Sequence, residues 1–274
     1  MYSGKAIYNP AGKAGEYARW ACNLHVGCSN SCDYCYCRRG VLGSVMGGPR
    51  ATLKTSLRDE ENAFAVFARE LAINIEKIRK AGGLFFSFST DPLLPETAGL
   101  TLRCVSHAVS EGVPCRLLSK CIGWVWDRYS IGRFNQLDKD MVALGFSLTG
   151  MDDMEKGPTV ASNLERLAML ESFHKQGIRT FASFEPIIDV KRAKRLFVKS
   201  LGFCDHYMFG LLSGKKDYDR VELEKFSRDV TSALEQSGVP AYWKHSFRCV
   251  VGHEIDSPVT VGEDYDIFRG SRAV

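Results

Sequence analysis

The sequence has no uninterrupted apolar run approaching the roughly 18 residues that a membrane span requires. Its opening, Met1-Tyr-Ser-Gly-Lys-Ala, lacks the charged and then apolar pattern of a secretory signal. A cytoplasmic location with no membrane partner is therefore expected. Internal repeats, low-complexity tracts and long Pro/Ser/Gly linkers are also missing, which argues against solenoids and disordered arrays and leaves one domain with terminal additions as the default. Proline is scarce, with 9 residues against 25 Gly in 274, and the composition excludes a collagen-like or disordered chain. A large charge of one sign is absent too: 36 Lys+Arg against 32 Asp+Glu leave +4, which permits an anionic partner but falls far short of a dedicated nucleic-acid binder. What is plentiful is apolar residues, 45%, enough to bury a sizeable core, and cysteine, of which there are ten. In a reducing compartment ten cysteines point to thiols or metal ligands rather than disulfides, so their spacing carries the next inference.

Short apolar runs at about Ala18–Leu24, Leu84–Ser89, Pro114–Ser119, Met141–Leu148, Ile178–Phe184 and His206–Leu211 read as strands. Helical periodicity separates them, over about Glu60–Ala81, Leu100–Glu111, Trp124–Gln136, Ser162–Gln176, Val190–Ser200 and Asp219–Ser237. Several of these helices end in a glycine suited to a C-cap: Gly82, Gly112, Gly177 and Gly238. Six β-then-α units imply parallel strands, whose ligands lie at their carboxyl ends. The polar residues there are His25 to Cys37 after the first strand, Thr90-Asp91-Pro92 after the second, Lys120 after the third, Thr149-Gly150 after the fourth and Glu185-Pro186 after the fifth.

The loop after the first strand reads Gly27-Cys28-Ser-Asn-Ser-Cys32-Asp-Tyr34-Cys35-Tyr36-Cys37, three thiols at Cys-x3-Cys-x2-Cys spacing. Three clustered thiolates can grip an iron–sulfur cluster and leave one iron open to a cofactor or substrate. Zinc competes, with Cys37 or His25 completing a site, although no second Cys-x2-Cys or His-x3-His pair follows downstream. Unliganded core thiols are the third reading.

Cys28, Cys32, Tyr34 and Cys35, at the head of six βα units, resemble the radical S-adenosylmethionine (SAM) enzymes. The resemblance implies an α/β fold, a partial (β/α)6 TIM-type barrel with short N- and C-terminal extensions. It also implies a [4Fe–4S] cluster on Cys28, Cys32 and Cys35 that binds SAM and cleaves it reductively, and an electron donor such as flavodoxin or ferredoxin. Within the superfamily the chain is similar to spore photoproduct lyase-like proteins over about residues 18–190. The similar stretches are the cluster loop with its flanking Tyr34 and Tyr36, Leu117-Leu-Ser-Lys120, Phe146-Ser147-Leu, Glu155 to Arg166, and Ala182 to Ile188. The resemblance divides the chain into residues 1–17 as an extension, 18–215 as the barrel, and 216–274 as a helix and strand that close it.

In the lyase a cysteine near the end of the second strand quenches the product radical; position 88 here is Phe88, so either another group such as Cys104, Cys115, Cys121 or a tyrosine quenches it or the reaction differs. Cys37, two residues past the cluster ligands, is then the best radical or redox candidate, with Tyr36 beside it. The remaining cysteines, Cys22, Cys104, Cys115, Cys121, Cys204 and Cys249, read as core thiols.

Ser89, Thr90 and Asp91 suit the SAM ammonium group, against the bland alternative of an Asp-Pro turn. Lys120 and Arg166 suit its carboxylate, Ser147 a ribose hydroxyl, and Glu185 an orienting carboxylate aimed into the mouth by Pro186. Basic residues at Arg38-Arg39, Lys191-Arg192-x2-Lys194-Arg195 and Lys215-Lys216, with the aromatic and cationic run Tyr242 to Arg248, raise nucleic acid as a partner. The same run also suits a strand closing the barrel. A peptide or small-metabolite substrate, and a zinc-stabilised module without catalysis, are the alternatives.

Overall fold

The computed structural model describes residues 5–215 and 217–270. Lys216 and the outermost residues of both termini, including the opening Met1 to Gly4, lie outside the described residues. The chain begins with β1 (Ile7–Tyr8), β2 (Ala21–Cys22) and β3 (His25–Val26), followed by α1 (Gly40–Met46), β4 (Thr52–Leu53) and α2 (Glu60–Lys80). Alternation then becomes regular: β5 (Leu84–Phe86), α3 (Ala98–Ser110), β6 (Cys115–Ser119), α4 (Arg128–Asn135), β7 (Val142–Ser147) and α5 (Asn163–Lys175). It continues through β8 (Arg179–Ile187), α6 (Val190–Ser200), β9 (His206–Leu211), α7 (Arg220–Ser237), β10 (Ala241–Trp243) and α8 (His245–Val251).

The sheet order is β1-β2-β5-β6-β7-β8-β9-β10, parallel from β2 onward, with β1 antiparallel on the edge. All six expected strands are present, and β10 adds a seventh in parallel. The first expected strand shrinks to Ala21–Cys22, since the chain then turns into a small antiparallel pair of β3 and β4. The expected helix over 124–136 is a 3₁₀ turn at Gly123–Trp126 followed by α4, because the Asp127 carboxylate accepts from Ser130 N (2.8 Å) and starts a fresh helix.

Local signals fix the helices. Asp59 caps α2, Glu60 and Glu61 occupy its first turn, and Lys77, Arg79 and Lys80 its last, as the helix dipole favours. Ser162 and Glu165 form a capping box at α5. Gly238 ends α7 at φ +67°, the left-handed conformation that a side chain disfavours.

Two apolar layers follow from strand alternation. One face of the sheet packs on the helices, through residues such as Phe86, Leu117, Leu144 and Phe184. The other fills the barrel floor with Phe85, Ala143, Phe181, Met208 and Tyr242, with Ile267 of the C-terminal tail added. Gly145 is small of necessity, since a Cβ there would stand 2.4 Å from the Phe181 ring. The floor is therefore filled by side chains, and a cavity opens above it at the carboxyl ends of the strands.

Residues 9–19 cross the gap between the β1–β2 edge and β10. They are fastened by Glu16, which accepts from Tyr242 OH (3.1 Å) and His245 N (2.6 Å), and by Lys244 Nζ donating to Lys13 O (3.1 Å). No helix among the described residues is long and apolar enough to cross a membrane.

Candidate active site

A cavity of about 600 Å³ sits above the barrel floor, within the range of small-molecule sites. Cys28, Cys32 and Cys35 line it together with Tyr34, Tyr36, Cys37, Ser89, Thr90, Asp91, Lys120, Ser147 and Glu185. Residues separated by up to 157 positions thus meet around one cavity because successive parallel strands end side by side.

The cysteine loop is seated by close backbone approaches. A Cβ on Gly27, at φ +77°, would fall 2.2 Å from Arg50 O, and one on Gly157 would fall 2.2 Å from Ser29 O. Gly157 N donates to Asn30 O (3.0 Å), Asp33 N to Met154 O (2.9 Å), and Cys32 pairs through its backbone with Glu155. Burial raises the Cys28 thiol to about 12 and also raises Cys32. Cys35 is lowered to about 6, first by a hydrogen bond from Cys37, with Lys120 and Arg38 adding their charge. Cys37 is raised by the same bond and by burial. Among the described residues no three His, Cys, Asp or Glu side chains converge on a point that could hold one metal ion. Three thiols are a donor set of the kind that holds an iron–sulfur cluster.

Behind the loop stands a buried charged group. Glu155 accepts from Tyr34 OH and Arg166 Nη2, and from Thr149 Oγ1 (3.0 Å), while Lys120 Nζ lies 4.0 Å away. Burial alone would raise the Glu155 carboxyl, but Lys120 and Arg166 outweigh it and hold it below its ordinary value. Burial likewise opposes the Lys120 charge, and Cys32 and Glu155 outweigh it, so its ammonium is held above the usual lysine range. Lys120 also lies 5.5 Å from the centre of the Tyr34 ring.

Two expected ligands have a different geometry. Arg166, read as a direct partner for a carboxylate, is wholly buried and off the cavity wall; its guanidinium donates to Ala161 O, Ser147 O and Glu155. Asp91 reaches the wall, but its carboxylate already accepts from Ser119 Oγ (2.7 Å), Leu93 N (3.0 Å), Asn30 Nδ2 (2.8 Å) and Lys120 N (2.7 Å). Those four bonds fill its acceptor positions and tie β5, β6 and the cysteine loop together. Ser89 Oγ donates to His25 O (2.5 Å). Thr90 Oγ1, in contrast, is buried on the cavity wall with no hydrogen-bond partner, a group that a polar ligand would satisfy.

Opposite the cysteines a second buried network lines the cavity. Lys244 Nζ donates to Glu185 Oε2 (2.7 Å), stands 3.6 Å from Glu16 Oε2 and lies 3.9 Å over the Tyr17 ring. Tyr17 OH bonds Glu185 and Ser183 Oγ (2.7 Å); burial, then Glu185, keep its phenol well above the ordinary value. Pro186 does not end its strand: β8 runs on to Ile187 through an irregularity between Phe184 and Ile187 that turns Glu185 toward the cavity. Phe88 stacks on Phe85 (4.6 Å), and its carbonyl accepts from Tyr36 OH and from the Cys37 thiol (3.6 Å). Position 88 thus holds no thiol, but the thiol of Cys37 lies against its backbone.

Sequence reasoning missed Asn30, Glu16, Tyr17 and Lys244. Lys244 lay inside the run read as a nucleic-acid platform; in fact Tyr242, Trp243, Lys244 and Phe247 are all buried, and the strand gives way to α8 after Trp243. Two of the α6 cations are also engaged, Arg192 with Asp153 (2.8 Å) and Lys194 with Asp229 (2.5 Å), as is Lys215 with Asp217 (2.8 Å). Cys22, Cys104, Cys115, Cys121 and Cys204 are buried, whereas Cys249, expected in the core, is exposed on α8 beside His245, 3.1 Å from its Nε2.

No protein-family model matches the chain. An uncharacterized protein of Methanocaldococcus jannaschii is 21% identical over 252 residues, 91% of this chain and 88% of that protein. Among solved structures, Streptococcus suis SuiB bound to its precursor peptide SuiA superposes with a TM-score of 0.59 at 10% identity, over 91% of this chain and 54% of SuiB. SuiB bound to SAM gives 0.53 at 10% identity over 86% of this chain and 53% of SuiB. A mutant spore photoproduct lyase gives 0.50 at 13% identity, over 91% of this chain and 65% of the lyase. The chain spans between half and two-thirds of these solved structures. The likeness to these solved structures is one of fold: a mostly parallel α/β sheet similar to their partial TIM-type barrel.

Proposed function

We propose that the protein is a radical SAM enzyme. Cys28, Cys32 and Cys35 hold a [4Fe–4S] cluster, SAM occupies the cavity above the barrel floor, and a hydrogen atom is taken from a substrate entering beside residues 8–17. The observation that carries this reading is the meeting of three thiols at Cys-x3-Cys-x2-Cys spacing with the carboxyl ends of the parallel strands on one cavity. Bound together, cluster and SAM supply a 5′-deoxyadenosyl radical after one-electron reduction.

The chain's own residues bind, orient and exclude water. Lys120 carries a buried positive charge for an anionic group, and Tyr34, held through Glu155 and Arg166, keeps its ring against that ammonium. Thr90 Oγ1 offers the unsatisfied hydroxyl, with Ser89 and Ser147 beside it, while Asp91 and Arg166 position the wall rather than touch the ligand. Glu185, paired with Lys244 and Tyr17, orients the substrate from the opposite side, and residues 9–19 shield it from water. Cys37 and Tyr36 bear the S–H and O–H hydrogens nearest Phe88. A hydrogen atom passed from either group to a substrate radical leaves the unpaired electron on sulfur or oxygen.

Nucleic acid is the first substrate class to test, because Arg38 and Arg39 lie exposed beside the cysteine loop. A peptide is the second, suggested by the fold shared with a protein solved with its precursor peptide. A flavodoxin or ferredoxin in the cytoplasm would supply the electron. Anaerobic reconstitution followed by metal analysis tests the cluster: about four irons and four sulfides per chain are expected, and one zinc without iron would support a non-catalytic module. Formation of 5′-deoxyadenosine in the presence of DNA, RNA and peptide candidates then sorts the substrates. If no nucleic acid binds or stimulates it, that substrate class is dropped.

A further inference from the structure

The cavity wall opposite the cysteines carries more negative than positive charge. Two carboxylates, Glu16 and Glu185, face one ammonium, Lys244; Glu16 is 7% and Lys244 1% exposed. Lys244 Nζ donates to Glu185 Oε2 (2.7 Å) and to Lys13 O (3.1 Å), with Glu16 Oε2 3.6 Å away. Tyr17 OH gives its hydrogen to the same Glu185 oxygen. Two acceptors are left over: Glu16 Oε2 is buried without a hydrogen-bond donor, and Glu185 Oε1 accepts from no described residue. Lys13 also lines the cavity, but it is exposed and bonded to Ser213 Oγ (2.6 Å), where water screens its charge. The lining beside Glu185 includes the apolar Phe88, Pro186 and Leu211. Room is kept at this point. A Cβ on Gly210, which has no positive φ to require glycine, would stand 3.0 Å from Glu185 Oε1 and 3.0 Å from Lys244 Cδ.

We propose that this wall recognises a protonated amine on the substrate, whose ammonium donates to Glu185 Oε1 and cancels the surplus negative charge. The inference rests on the proposed function and names the substrate class for its site: a primary ammonium, carried by a small metabolite or by a lysyl side chain. Buried charges are tolerated when paired, and Glu16, Glu185 and Lys244 together lack one positive charge. A hydrogen bond between ammonium and carboxylate is also about twice as strong as a neutral one, so the wall discriminates an ammonium from an amide of similar shape. A phosphate would bring a further negative charge to Glu185, which disfavours a nucleic-acid backbone at this point. Because Tyr17 and Lys244 hold the other carboxylate oxygen, Glu185 meets the amine in one fixed orientation, across the cavity from the cysteines.

The test measures binding by calorimetry on the full chain, both cluster-free and after reconstitution with SAM. The probes are pentylamine, an end-blocked Ala-Lys-Ala peptide, the same peptide with its lysine ammonium acetylated, and a short single-stranded DNA. Wild type should bind one of the two ammonium probes at least about tenfold more tightly than the acetyllysine peptide, and Glu185→Gln should remove that preference. Pentylamine ahead of the peptide assigns the ammonium to a small metabolite, and the reverse order to a lysyl side chain. The comparison on wild type needs no substitution, so it stands even if Glu185→Gln folds poorly. Glu185→Gln/Lys244→Met, which removes the ion pair whole, repeats the variant arm. Equal binding of the ammonium and acetylated probes would overturn the proposal, as would no binding of either ammonium probe to either form of the protein. So would DNA binding that Glu185→Gln weakens, which gives the wall to nucleic acid, or a Glu185→Gln defect confined to SAM affinity. If no cluster assembles, the functional reading fails by itself, while binding to the cluster-free protein still decides the wall.

Discussion

Replacing Glu155 by glutamine keeps its shape and removes its charge. That carboxylate and the Arg166 guanidinium are both fully buried, and the Lys120 ammonium stands 4.0 Å from the same group. Glu155→Gln therefore removes the anion that the two buried cations share and leaves Arg166 only the more exposed Asp152, 3.7 Å away. Breaking a buried ion pair by removing one partner costs about 3–5 kcal/mol. At roughly 2–4 °C per kcal/mol for a domain of this size, Tm should fall by on the order of 10 °C. The paired variant Glu155→Met/Arg166→Met removes both charges and should recover most of that stability, since apolar replacement of a buried pair is often neutral. Tyr34 and Lys120 would still lack the acceptor that fixes them, so SAM affinity should stay low in both variants. Circular-dichroism melts and calorimetric SAM binding on reconstituted protein read the two effects separately. A loss below about 1 kcal/mol in Glu155→Gln, the range of an exposed pair, would refute the buried-pair account. Wild-type SAM affinity in the paired variant would refute the positioning role.

Thr90→Val removes the unpartnered cavity hydroxyl. SAM binding should weaken by about three- to tenfold, the worth of one neutral hydrogen bond, with Tm unchanged; equal affinity would show that Thr90 does not meet the ligand. Gly157→Ala forces a Cβ against Ser29 O and should lower the iron bound per chain, whereas Gly99→Ala, where a Cβ meets nothing within 4 Å, should not; equal iron content in the two would count against the close approach. His206 is held to about 3, first by burial and then by Arg116. The unfolded chain therefore takes up a proton below its ordinary value of about 6.5 that the folded chain refuses. The contribution is fully present above pH 6.5 and is lost toward pH 3 at up to about 1.4 kcal/mol per pH unit. Urea titrations of the His206→Asn variant should show a shallower decline over that window; an unchanged slope would remove His206 as its source.

The strands and helices were legible because their signals are local. Alternation of apolar runs with helical periodicity marked six parallel strands, and Gly82, Gly112, Gly177 and Gly238 all adopt the positive φ that a helix end exploits. The cysteine loop was legible because its spacing lies within eight residues. Asp91 and Arg166 were found as residues but not as structure: a motif reveals that a charge is present, while only the fold reveals that four donors saturate Asp91 and that Arg166 turns inward to Glu155. Tyr242 to Arg248 could not be resolved because its aromatic and cationic composition suits a nucleic-acid platform and a closing strand equally; the fold buries its aromatics and divides it between β10 and α8. Glu16, Tyr17 and Lys244 gave no local signal, since Glu16 and His245 meet across 229 positions. Cys249 illustrates the limit of composition: most of the scattered cysteines are buried, and the side of α8 that it occupies is not.

The central claim is that three cysteines hold a cluster that drives SAM cleavage. It is tested most directly by measuring 5′-deoxyadenosine released by anaerobically reconstituted, dithionite-reduced protein alongside its Cys32→Ala variant. The account predicts steady release by the wild type and none by the variant, which should also fail to retain iron. Release of 5′-deoxyadenosine by Cys32→Ala at the wild-type rate would contradict it.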